Sequence, residues 1–101
     1  MKLRILHQQL RVNHRTMRQL MRRDQIAIYE DSERKEYYEV IVVRITHPHP
    51  RDRNLEGFTH VELYPPSNQW GVYGWTFTPN SHKEPLVSAQ ARATMALAMC
   101  W

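Results

Sequence analysis

The sequence predicts an α+β domain: an N-terminal helix, a four-stranded antiparallel sheet, and a C-terminal helix packed on that sheet. Three observations carry the prediction. Arginines at positions 11, 15, 18 and 22 recur with helical spacing. Val-, Ile-, Tyr- and Trp-rich runs between residues 25 and 78 are punctuated by turn residues. Residues 86 to 100 return to a helical period with alanines and methionines. A chain of 101 residues, 42% apolar and 24% charged, is the size and composition of a single globular domain, 1 to 101.

The first helix is predicted from Asn13, a good N-cap, to Arg23, with Asp24 closing it. At about 100° per residue, Arg11, Arg15, Arg18 and Arg22 fall within roughly 60° of one another. Leu10, Met17, Leu20 and Met21 lie opposite. Residues 1 to 12 fit neither a strict helix nor a strict strand and read as a flexible or loosely packed arm.

The runs Gln25 to Tyr29 and Tyr37 to Thr46, with a polar stretch between them, form a β-hairpin. Val40 to Val43 is apolar without alternation, which places this strand centrally with both faces covered. His47 to Glu56 contains His-Pro-His-Pro and reads as a loop. Phe58 to Tyr64 alternates and stops at Pro65-Pro66, which cannot donate ladder hydrogen bonds. Trp70 to Thr78 is the fourth strand, pairing with the third across the Pro-Pro loop. Tyr73, Trp75 and Phe77 lie on one face, opposite Val61 and Leu63, as core beneath a helix. Gly71 and Gly74 leave room for large rings or permit a bulge. Tyr64 and Trp70 are the rings expected at the surface.

The last helix starts near Pro85, a residue suited to a first turn. Leu86, Ala89, Ala93, Ala96, Leu97 and Cys100 make one stripe, while Val87, Ala91, Met95 and Met99 occupy much of the other side. A helix that is apolar nearly all round needs cover on more than one side. Either the N-terminal helix or a second chain supplies it.

The segment Gln69-Trp70-Gly71-Val72-Tyr73-Gly74-Trp75-Thr76, with Glu62-Leu63-Tyr64-Pro65, Ile28-Tyr29-Glu30 and Tyr38-Glu39-Val40, resembles a group of small uncharacterised α+β proteins of gut-type bacteria, often associated with mobile elements. The likeness covers about residues 25 to 78 and extends to the final helix. It implies this strand order and a bacterial cytoplasmic setting. It implies no activity.

Residues 1 to 23 carry seven basic side chains and no acidic one, against a net charge of +4 for the chain. Arg11, His14, Arg15, Arg18, Arg22 and Arg23 on one helix would each reach a phosphate, which makes a nucleic-acid-binding accessory role the alternative reading. The competing account is that an amphipathic helix simply needs a polar front. His47 and His49 could present two imidazoles to a metal, with His60 or Asp52 as a third ligand, but a solvated loop accounts for them and no metal site is expected. Glu30, Asp31, Glu33, Glu36 and Glu39 cluster near the hairpin turn, where charge serves solubility. Three glycines build no phosphate loop, and Cys100 has no base beside it. No enzyme activity and no cofactor are expected. No apolar run is long enough to span a bilayer, and charge interrupts any leader-like segment. One cysteine cannot form an internal disulfide, which suits a cytoplasmic location. The first reading is therefore a non-enzymatic binding or adaptor domain. It has a homodimer or protein partner, with Met95, Leu97, Met99 and Trp101 as its interface.

Overall fold

A computed structural model describes residues 3–12, 14–49, 51 and 57–99. Among these the chain forms eight strands in two sheets and one C-terminal helix. The elements are β1 (Leu3–Arg4), β2 (Gln9–Val12), β3 (Arg15–Arg23), β4 (Ile26–Asp31), β5 (Tyr38–Val42), β6 (Arg44–Thr46), β7 (His60–Leu63), β8 (Gly74–Phe77) and α1 (Pro85–Ala98). A 3-10 turn, Ser67–Gln69, lies between β7 and β8.

The predicted N-terminal helix is absent, and the sheet is not four-stranded. Strands β2 and β3 form an antiparallel hairpin, with Val12 opposite Arg15 and Leu10 opposite Met17. Its ends are turns. His14 takes φ 66° and Asp24 takes φ 52°, the left-handed conformation that Asn, Asp and His adopt more readily than other non-glycine residues. Asp24, expected to close a helix, instead turns β3 into β4, where Arg23 lies opposite Ile26. Asn13, expected as the cap, lies outside the described residues.

The larger sheet runs β2-β3-β4-β5-β8, every neighbour antiparallel. The expected hairpin is its centre, with Ile28 opposite Val40 and Tyr29 opposite Glu39. Val40 to Val43 is fully buried, as an unalternating apolar run requires. The strand stops at Val42, however, and the chain passes through Val43 into β6 of the second sheet. That sheet runs β1-β7-β6, with β1 parallel and β6 antiparallel to β7. Consequently β7 and β8 do not pair: they belong to different sheets, and Leu63 is exposed.

One face of the larger sheet is dry. Ile26, Ile28, Val40, Val42 and Phe77 pack under Ala89, Ala93 and Ala96 of α1, with Tyr73, Trp75 and Leu97 at the margin. Tyr73, Trp75 and Phe77 thus lie beneath the helix, as their alternation predicts. Small alanines let the helix approach the sheet closely. α1 begins with Pro85 in its first turn.

The opposite face holds Met17, Ala27, Tyr29, Ile41 and Val43, flanked by Leu6, Leu10, Tyr37, Tyr64 and Trp70. Across it lie the segment after β1, the Pro-Pro loop and part of the second sheet. Trp70 reaches this position over Gly74, where a Cβ would come within 2.5 Å of the indole.

β8 ends the larger sheet, and both its ends are sealed locally. Gly71 N donates to Gly74 O at 2.7 Å, while Ser81 N and His82 N both donate to Thr78 O, at 3.1 and 2.8 Å.

Candidate functional site

A strand places alternate residues on opposite faces, so arginines at 11, 15, 18 and 22 cannot share one face of a straight strand. The register explains where they go. Pairing shifts between Gln19 and Met21, where Gln19 faces Tyr29 but Met21 faces Ile28. This bulge at Leu20 returns Arg22 to the face of Arg15, Met17 and Gln19. Arg15 and Arg22 therefore turn inward between the layers.

Each meets a buried acid. Glu39, 1% exposed, accepts from Arg15 Nη2 at 3.0 Å and from the Tyr64 hydroxyl. Glu62, from β7, takes a bidentate bond from Arg22, Nη1 to Oε1 at 2.9 Å and Nη2 to Oε2 at 2.7 Å. Leu6 N adds a third bond to Glu62 Oε1 at 2.9 Å. Asp31 is buried too. Its Oδ1 accepts from Glu33 N and Arg34 N and fixes the β4–β5 turn, while Oδ2 lies 3.9 Å from Arg15 Nη1. Neither Asp31 Oδ2 nor Arg15 Nη1 has a hydrogen-bond partner among the described residues. Two members of the acidic cluster assigned to solubility, Asp31 and Glu39, are thus core groups.

Burial and pairing act against each other here. Burial raises the Glu62 carboxyl, but Arg22 and the Leu6 amide outweigh it and hold Glu62 below its ordinary value. Burial lowers Arg15, yet the charge and hydrogen bond of Glu39 leave it raised. For Tyr64, burial and the adjacent Glu39 charge both push the hydroxyl upward, so it remains a neutral donor. Tyr29 is raised mainly by burial, and its hydroxyl donates to His7 O at 2.8 Å.

At the end of this layer, below Pro65 and Pro66, opens a cavity of about 530 Å³. It is lined by Arg15, Glu39 and Thr76 and by the rings of Tyr37, Tyr64 and Trp70. Trp70 is anchored by Nε1 donating to Thr76 Oγ1 at 2.8 Å, and its ring lies 5.9 Å from that of Tyr64. Both rings, expected at the surface, are half-buried. Arg15 stacks on Tyr37 at 4.7 Å.

The other predicted residues scatter. Arg18 pairs with Glu30 across the strands on the α1 side of the sheet. Arg11, His14 and Arg23 are exposed, the histidine in the hairpin turn. The single basic helical face therefore does not exist, and three of its members face carboxylates. His47 stacks on His60 rather than His49, with ring centroids 4.6 Å apart, while His49 Nδ1 accepts from Arg51 N at 3.2 Å. No group of three or more His, Cys, Asp or Glu residues is placed to hold a metal among the described residues. Asp52 lies outside them.

Of the proposed interface, Met95 and Met99 are 54% and 68% exposed, and Leu97 instead packs against the core. Cys100 and Trp101 lie outside the described residues. Val87, 56% exposed, and Ala91 extend the stripe along the outer side of α1.

Sequence reasoning missed two buried acidic groups and their partners: Glu39 with Arg15 and Tyr64, and Glu62 with Arg22. The signal was a single carboxylate inside each of two apolar strands, Tyr38-Glu39-Val40 and Val61-Glu62-Leu63. Such a residue is either exposed by alternation or paired in the interior. No helix among the described residues is long and apolar enough to cross a membrane. The chain matches no family model, no curated protein and no solved structure, so its fold and its site rest on their own residues.

Proposed function

We propose that the protein is a non-enzymatic binding module that self-associates through the outer side of α1. The observation that supports this reading is the row Val87, Ala91, Met95 and Met99, spaced four apart and exposed on a helix whose other side is already buried. Exposed apolar residues scattered singly are ordinary, whereas a continuous ridge is a contact surface.

The ridge suits a second copy of itself. Rows of i, i+4 residues interdigitate at a crossing angle of about −50°. A twofold axis at Ala91 would set Val87 against the partner's Met95, and the small Ala91 side chain would let the helix axes approach. Each copy offers the same patch, as a closed dimer requires.

Light scattering across a micromolar concentration series tests the reading. The expected result is a dimer mass that reverts to monomer in Met95→Asp, with the circular dichroism spectrum unchanged. A monomer mass at every concentration overturns it.

A further inference from the structure

We propose that the cavity below Pro65 and Pro66 binds a small organic ammonium ion. It lies on the face of the larger sheet opposite α1, so the proposal is independent of the helix contact. Its volume, about 530 Å³, is within the range of small-molecule sites.

Charge points to a cation. The charged groups lining the cavity are Arg15 and Glu39, and Arg15 is flanked by Glu39 at 3.0 Å and by a further carboxylate outside the lining, Asp31 at 3.9 Å, so that these three carry one net negative charge. Asp31 and Glu39 are both more than nine-tenths buried, so water screens that charge little. Tyr64 cannot relieve it, because its hydroxyl stays neutral and donates to Glu39. Among the described residues Glu39 accepts these two side-chain bonds, one per oxygen, and a carboxylate has about four acceptor positions. Its charge can therefore face a further cation, whether that cation donates an N–H or, like a quaternary ammonium, only brings its charge.

The walls point to the same ligand. Tyr37 already carries two cations on its ring, Arg15 at 4.7 Å and Arg34 at 5.6 Å, which leaves the other rings for a ligand. Tyr64 and Trp70 present two further rings, 5.9 Å apart and tilted by 35°, beside the carboxylate. Aromatic faces around a negative group are the chemistry that holds an ammonium head, and tryptophan is the strongest such partner. With Trp70 Nε1 committed to Thr76, the indole offers its face and not its N–H.

Titration of the full chain with choline, followed by the NMR signal of the Trp70 indole N–H, tests this. The matched probe is 3,3-dimethylbutan-1-ol, which has the same shape without the charge. The expected result is a saturable shift at Trp70 with choline and binding about tenfold weaker for the neutral alcohol, the scale of a desolvated cation–π contact. Glu39→Gln should remove the preference for charge. The comparison of the two ligands on the unaltered chain holds even where that variant fails to fold. Equal affinity for the two probes, no saturation by choline, or shifts confined to Trp75 would overturn the proposal.

Discussion

The two faces of the five-stranded sheet are built on opposite principles. Under α1 the contacts are Ile, Val, Phe and Ala, close-packed and without charge at the centre. On the other face, methionine, alanine and isoleucine share the interior with Glu39, Glu62, Asp31, Arg15 and Arg22. The apolar face needs only matching volume. The polar face needs each group to meet its partner, because an unpaired buried charge costs far more than a small void. The first can drift during evolution by small repacking steps, while the second must change in pairs.

Removing one partner on the polar face should give the largest effect. Arg15→Met leaves Glu39 and Asp31 without their cation, with an expected loss of about 3–5 kcal/mol in urea unfolding. A loss below that of a single core methyl would mean that the cluster is hydrated and the contrast is false. On the dry face, Ile28→Val should cost about 0.5–1.5 kcal/mol, and chemical denaturation should show an unchanged slope. Arg18→Ala sharpens the comparison at its lower end. This ion pair with Glu30 has the same chemistry as Arg22–Glu62 but stands in solvent, and about 0.2–1 kcal/mol is expected. Similar losses for Arg18→Ala and Arg15→Met would show that burial does not set the strength of these pairs.

What the sequence made legible follows the same division. Val40 to Val43, the Tyr73-Trp75-Phe77 face and the helix start at Pro85 are governed by neighbours a few positions away, and their periodicity shows it. The N-terminal hairpin is different. Spacing of 4, 3 and 4 between arginines fits a helix, and the bulge at Leu20 breaks the alternation that would have signalled a strand. The groups that decide the matter are distant: Glu39 lies 24 positions from Arg15, and Glu62 lies 40 from Arg22. Local propensity is easily overridden by such partners. The cavity was illegible for the same reason, since its walls come from β3, β5, the Pro-Pro loop and the approach to β8.

The sealed ends of β8 bear on how copies of this chain can meet. A bare terminal strand would accept another strand, and that one another, with no geometric stop. Here the carbonyls of Gly74 and Thr78 are already bonded within their own loops. Strand addition is therefore resisted at both ends of β8, which makes this edge a poor seam between copies, while β2 forms the sheet's other edge.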